Sequence, residues 1–237
     1  MNRILIFDHD INQKSIIVDS PQILTHIHKV LKALVGETLA LCLVNKSLAT
    51  GVLKSLDECR AVITITRLEQ GLKLPYILEV AASRPPTMKK VIEHGTSLGA
   101  SHFSIFKASL SDKSYLQSHI YKTNEMDKYL GLGLSQSKSL QNLPTYDVSL
   151  NKKSSESEQK YILSLSANSN QTFSNEDIDF TKSITLAIGP ERGWTQSEEE
   201  IYRDLGYKPI SIAATTLRVE IATFVALGQL EMLRLSR

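Results

Sequence analysis

Hydrophobic and polar positions change rhythm once along the chain, near Leu74-Pro75. Before that point, Arg3–Phe7, Ser15–Val18, Thr38–Val44, Ala49–Ser55 and Ala61–Arg67 are short runs rich in Ile, Leu, Val and Thr, punctuated by Gly, Asn, Asp and Ser. Such runs between turn formers predict strands. One helix is expected from about Pro21 to Leu34, with Gly36 as its stop. Many short strands and one helix predict a small β-barrel-like module.

Beyond Pro75 strands alternate with helices. The pattern predicts strands at Tyr76–Ala82, His102–Phe106, Thr145–Leu150, Tyr161–Leu165, Ile184–Ile188 and Lys208–Ile212. Helices are expected over Pro86–Leu98, Ser114–Leu130, Thr195–Leu205 and Val219–Leu235. That alternation argues for an α/β domain with a mostly parallel sheet. The last helix is apolar nearly all round, from Ile221 and Phe224 to Leu230 and Leu233, which requires burial on two flanks, in a core or against a second subunit. Ser166–Asn175 is rich in Ser and Asn and reads as a lid-like loop. Two domains are expected, 1–73 and 74–237.

Charge refines this division. The 237 residues carry 27 Lys and Arg against 25 Asp and Glu, a net charge of +2. Residues 1–73 hold nine basic and seven acidic side chains, and the remainder holds eighteen of each, so any positive excess belongs to the first module. A polybasic tail is excluded, whereas a local basic face is not. No apolar run reaches the ~20 residues of a membrane span. Asp8 and Asp10 interrupt the N-terminus before a signal-peptide core forms. Cys42 and Cys59 match neither a metal-ligand spacing nor a disulfide framework, so no metal and a cytoplasmic location are expected, and the short apolar runs predict no membrane partner.

The sharpest local feature is Ile188-Gly189-Pro190-Glu191-Arg192-Gly193-Trp194-Thr195, a strand end, a glycine turn and a helix start. Thr195 with Glu198 fits a capping box, and Glu198, Glu199 and Glu200 complement the helix N-terminus. Glycines allow a ligand close to the backbone, and parallel sheets bind ligands at the carboxyl ends of their strands. Three acids in the first turn disfavour a phosphate there, and no dinucleotide or Walker-type loop follows any strand. A neutral or cationic ligand suits the site; a merely well-capped helix is the plain alternative. Arg218 and Glu220, two apart at the mouth of the last helix, are either a surface pair or a functional one.

Taken in this order, Gly189–Trp194, its acidic helix and Leu217-Arg218-Val219-Glu220-Ile221-Ala222 resemble the RsmE family of SPOUT-superfamily methyltransferases, which act on uridine N3 of small-subunit (16S) ribosomal RNA. His26-Ile27-His28-Lys29-Val30-Leu31-Lys32 is similar to that family's RNA-facing helix in a PUA-like barrel. The resemblance implies a PUA-like domain followed by a parallel-sheet methyltransferase domain whose C-terminal segment is tied in a trefoil knot. It further implies S-adenosyl-L-methionine as cofactor, a homodimer with the site at the subunit interface, and ribosomal RNA of the small subunit as partner. By matching positions, Leu165, Ile188, Gly189, Pro190, Glu191, Gly193, Ile212 and Leu217 would line the cofactor site. Plain strand core is the competing reading for Leu165, Ile188 and Ile212.

Arg218 and Glu220 carry the catalytic assignment. An arginine stays protonated, so Arg218 would anchor substrate and stabilise charge rather than act as base, with Glu220 orienting it. RNA capture would fall to His26, His28, Lys29 and Lys32, whose helical spacing can place most of them on one face, extended by Arg84. A solvated helix face is the plain alternative.

The chain departs from the family pattern mainly on the substrate side. Leu132–Ser139 keeps Gln136-Ser137 but lacks the usual glutamates and arginine, Gly95-Thr96-Ser97-Leu98-Gly99 lacks an acid, and Arg84-Pro85-Pro86-Thr87 replaces a Lys-Gly-Asp-like turn. Arg192 stands where glycine is usual, and Ile221 where threonine is usual. Two alternatives therefore stand beside uridine-N3 methylation: a paralogue acting at another RNA site, and a catalytically silent RNA-binding protein of the same fold.

Overall fold

The computed structural model describes residues 2–8, 13–151, 156–168, 170–174 and 176–237. Contacts divide it into two compact units: residues 1–73 with Leu134–Leu143, and Leu74–Gly133 with Pro144–Arg237. Residues 134–143, expected in the second domain, thus group with the first. There the Arg3 guanidinium donates to the Lys138 carbonyl, and the Gln141 side chain accepts from the Gly71 amide and donates to the Lys46 carbonyl. Backbone groups of the loop are satisfied by partners far away in sequence, a pattern that local periodicity does not encode.

The first unit is built on a five-stranded sheet of order β1-β3-β4-β5-β2. These strands are β1 (Ile4–Ile6), β2 (Ser15–Val18), β3 (Thr38–Leu43), β4 (Ser47–Leu56) and β5 (Ala61–Glu69). β1 pairs parallel with β3, and the other pairs are antiparallel. Its core gathers Ile16, Leu41, Leu43, Leu53 and Ile63 beneath Leu24 and Ile27. The expected helix Pro21–Leu34 is not a single α-helix. A short α1 (Pro21–Thr25) widens into a π-helical turn, His26–Leu31, closed by Lys32 with φ 50°.

The second unit holds a six-stranded, fully parallel sheet of order β11-β9-β10-β6-β7-β8. The strands are β6 (Tyr76–Ala81), β7 (Ala100–Phe106), β8 (Thr145–Ser149), β9 (Gln159–Leu163), β10 (Ile184–Ile188) and β11 (Lys208–Ile210). β10, buried along its whole length, lies between β6 and β9, as a mostly apolar strand requires, and its one polar side chain, Thr185, donates to the Ser157 hydroxyl. Pro209, which cannot donate to a ladder, sits on the edge strand β11.

Among the described residues four α-helices accompany this sheet: α2 (Pro85–Ser97), α3 (Thr123–Gln136, whose last three residues group with the first unit), α4 (Gln196–Asp204) and α5 (Val219–Leu235). Two prolines open α2, where their missing N–H groups cost nothing. The helix expected over Ser114–Leu130 instead begins as two 3-10 turns, Tyr115–Gln117 and His119–Tyr121, with α3 starting only at Thr123. Burial of α5 is one-sided in the single chain. Val219, Thr223, Ala226, Leu227 and Leu230 are buried, whereas Ile221, Met232 and Leu235 are exposed. The Ser/Asn-rich loop includes Ser169 and Asn175, which lie outside the described residues. Its described part is tethered: the Ser211 amide donates to the Gln171 carbonyl at 2.7 Å, and Phe173 packs edge-on against Tyr161.

Helices α2 and α3 meet at a glycine. A Cβ at Gly133 would stand 2.0 Å from the Glu93 carbonyl oxygen, which belongs to rigid helix backbone. Gly133→Ala is therefore expected to lower stability by about 1–3 kcal/mol through overpacking, measured as a lower urea midpoint with unchanged m-value.

Candidate active site

Inserting β10 beside β6 brings the carboxyl ends of β9, β10 and β11 to one edge of the sheet, where open parallel sheets bind ligands. The loops that follow enclose a cleft of about 640 Å³. Leu163–Leu165 and Ala167 form one wall, Ile188–Trp194 the second, and Ile210–Leu217 the third, with Val219 and Ala222 of α5 at the back.

All eight residues assigned by resemblance, Leu165, Ile188, Gly189, Pro190, Glu191, Gly193, Ile212 and Leu217, line this cleft. β9 ends at Leu163, so Leu165 lies past the strand and is 76% exposed, which rejects strand core as its explanation. β11 likewise ends at Ile210, leaving the half-buried Ile212 in the loop. Ile188 is buried as the last residue of β10.

Trp194 fixes the relation between two of the walls. Its indole Nε1 donates to the Leu163 carbonyl at 3.0 Å, joining the β10 loop to the end of β9. A Cβ on Gly189 would meet the indole at 3.1 Å, so glycine lets the turn lie against the ring. Gly193, with φ 73°, takes the left-handed turn just before it. The ring stacks on Phe106 and tilts against Tyr202, which meets Tyr207 edge-on, forming an aromatic floor beneath the loop. Below the floor the Tyr207 hydroxyl donates to the buried Glu79 carboxylate on β6.

The helix start behaves as its pattern predicts. Thr195 and Glu198 form the reciprocal capping box. Glu198 also accepts from the Ser109 amide at 2.8 Å, which ties α4 to the segment after β7. Burial pushes the Glu198 carboxyl up, but hydrogen bonds from Ser109 and Thr195 outweigh it and hold the group below the ordinary carboxylate range. Glu199, read from the sequence only as a complement to the helix N-terminus, lines the cleft and accepts from the hydroxyls of Ser164 and Ser166. Its signal was masked by the run of three glutamates, which helix capping alone explains.

Arg218 and Glu220 do not form the expected pair. Arg218 is the N-cap of α5 and exposed between the lining residues Leu217 and Val219; among the described residues its guanidinium has no hydrogen-bond or ion-pair partner. Glu220 is buried and pairs with Lys90 of α2 at 3.7 Å. Consecutive helical turn geometry accounts for this: Glu220 lies inside the first turn on the face toward α2, and Arg218 precedes the helix.

The predicted RNA-contacting residues of the first unit lie on or beside the π-helical turn. His28, Lys29 and Lys32 are exposed and His26 is half-buried. The i→i+5 turn breaks the 3.6-residue register that would have put most of them on one face. His28 Nε2 donates to the Asp57 carbonyl at 3.0 Å, whereas Lys29 and Lys32 have no ion-pair partner among the described residues. Arg84, in the second unit, is exposed at the N-cap of α2, and its amide donates to Glu191 Oε1 at 2.8 Å. Among the described residues no helix is long and apolar enough to cross a membrane.

Residues 70–231 match the RNA methyltransferase domain family. The chain is 32% identical over 158 residues to ribosomal RNA small subunit methyltransferase E 1 of Borreliella burgdorferi, covering 65% of this chain and 66% of that protein. It is 26% identical over 216 residues to ribosomal RNA small subunit methyltransferase E of Treponema pallidum, covering 85% and 79%. The chain thus spans just under two thirds of the Borreliella protein's length. Its fold is similar to that of the small-subunit methyltransferase E from Neisseria gonorrhoeae bound to S-adenosyl methionine, with TM-score 0.79, 20% identity and 98% of each chain covered. The methyltransferase Lpg2936 from Legionella pneumophila, in complex with the same molecule, gives TM-score 0.76 at 19% identity over 98% of each chain. The match to the family over more than half of its length shows that the chain belongs to the RNA methyltransferases of the RsmE family.

Because Glu198 titrates lower in the folded state, it stabilises the fold above its unfolded pKa, and that contribution disappears as pH falls through the folded value. Glu198→Gln should therefore melt at lower temperature than the parent at neutral pH. The two melting curves should converge as the pH drops through and below the carboxylate range.

Proposed function

We propose that this protein methylates N3 of a uridine in small-subunit (16S) ribosomal RNA, with S-adenosylmethionine as donor. The observation that carries the reading is the cleft at the carboxyl ends of β9, β10 and β11, in which the residues assigned from the sequence resemblance meet. Its chemistry suits this donor. Leu165, Ile188, Ile212 and Leu217 offer apolar surface to an adenine, and loop amides and carbonyls offer hydrogen bonds. Glu191 and Glu199 place carboxylates where a cation is favoured over a phosphate. When bound, the donor supplies an activated sulfonium methyl group. The chain's part is to hold that methyl in line with N3 and to stabilise the deprotonated uracil.

In this reading Arg218, exposed beside the cleft wall, anchors RNA and stabilises charge, while Glu220 holds Lys90 behind it. His26, His28, Lys29 and Lys32 contact phosphates from the first unit, a PUA-like barrel. The segment through Ile210–Leu217 belongs to a trefoil knot. The exposed Ile221, Met232 and Leu235 of α5 are covered by a second copy in a cytoplasmic homodimer. The similarity of the curated relatives, both small-subunit rRNA methyltransferases by name, supports the substrate class.

Calorimetry with S-adenosylmethionine should give one site per chain, and Trp194, the single tryptophan, should change emission on titration because it lines the cleft. Mapping 3-methyluridine in rRNA from cells without the gene should show one site lost. Its retention, with binding intact, favours the paralogue; no binding favours the silent RNA-binding protein. Arg218→Ala should lower kcat/KM for RNA about tenfold or more, as expected for a lost charge-assisted contact, with donor affinity retained.

A further inference from the structure

Next to the donor cleft lies a smaller one of about 210 Å³ that the sequence did not foreshadow. Glu191 and Arg192 line both, so the two clefts share a wall. Across from them stand Arg84, Ser111, Asp112 and Tyr115.

The hydrogen-bonding state of these groups is uneven. Asp112 is occupied: it accepts from the Ser114 amide and hydroxyl at 2.8 and 2.7 Å, and these bonds hold its carboxyl below the ordinary range. Glu191 Oε1 accepts the Arg84 amide, whereas among the described residues Oε2 makes no hydrogen bond. The guanidiniums of Arg84 and Arg192 also have no partner among the described residues. Tyr121 lies near Glu191 with its hydroxyl buried and, among the described residues, without a hydrogen-bond partner. Burial first, and then the Glu191 charge, push the Tyr121 pKa up, so the phenol stays protonated beside that carboxylate.

Two positive and two negative side chains leave this cleft electrically balanced, which suits a neutral group better than a phosphodiester. The Watson–Crick edge of uracil presents carbonyl, imide N–H and carbonyl in sequence. Two free guanidiniums and one free carboxylate oxygen are the complementary set. We propose that this second cleft receives the acceptor uracil and that Glu191 takes the N3 proton, with Arg84 and Arg192 bearing the charge that develops on the two carbonyl oxygens.

The assignment rests on the methyltransferase reading and deepens it. The N3–H bond breaks and its proton passes to Glu191 Oε2. The nitrogen pair forms the new N3–CH3 bond as the methyl–sulfur bond breaks, and that bond's electrons return to sulfur, discharging the sulfonium. Glu191 can serve both clefts because it stands in their common wall. Its tie to the Arg84 amide fixes the carboxylate in place and leaves the second oxygen open.

Glu191→Gln tests this, since the amide oxygen can still accept from Arg84. With uridine RNA and the wild-type enzyme in parallel, kcat should fall about 100-fold. The residual rate should rise with pH, and RNA carrying 5-fluorouridine, whose N3–H is more acidic, should recover a larger share of the wild-type rate. A readout free of turnover comes from fluorine NMR of the bound 5-fluorouridine RNA without methyl donor. There Glu191→Gln should lower the N3 titration midpoint by about one unit, because a like charge is removed, and Arg84→Ala should raise it. A Gln variant within threefold of wild-type kcat, or a midpoint that neither substitution moves, overturns the assignment. Wild-type enzyme that methylates no uridine overturns the function reading instead, and the fluorine titration still decides whether the cleft holds the base.

Discussion

The placement of β10 between β6 and β9 is the constraint on which the rest of the second unit depends. A strand buried on both faces must be paired on both edges, because lone amides inside a core are costly. Satisfying that requirement with parallel partners puts the loops after β9, β10 and β11 side by side. The donor cleft is a consequence of this adjacency. Trp194 then fixes its width, since one indole donates to the β9 end and lies against Gly189 of the β10 loop.

Carboxylates organise the same edge in three distinct ways. Glu198 closes a capping box and reaches the segment after β7. Glu199 gathers the hydroxyls of Ser164 and Ser166 at the cleft. Glu191 joins the glycine turn to the start of α2 and still offers one oxygen to a ligand. Each accepts from backbone or hydroxyl donors, which favour the charged form, and Glu199 is also paired with Arg203 one turn on at 3.5 Å. The carboxylates of this edge are therefore held in place by several donors, which suits a pocket for a cation.

Much of this was legible from local pattern. Ile184–Ile188 and Val219–Leu235 were bounded to the residue, because a short β-branched, mostly apolar run and a long apolar helix with few polar interruptions leave little choice. The capping box of Thr195 and Glu198 was legible because both partners lie within one turn. The π-helical turn at His26–Leu31 was not, since β-core packing of Leu24 and Ile27, not helix propensity, sets the local winding. The return of Leu134–Leu143 to the first unit was also hidden, because Gln141 and Lys138 are satisfied by residues about 70 to 135 positions away.

By itself the sequence determined the order of elements, the family and a set of residues that come together in the larger cleft, since glycine turns, caps and apolar runs act over a few neighbouring positions. Tertiary structure alone decided that Glu220 turns to Lys90 rather than Arg218, and that Arg84 and Arg192 share a second cleft with Glu191. These are meetings between loops and helices distant along the chain. Their side chains find one another only after the sheet has fixed where each strand ends, and no period in the sequence carries that distance.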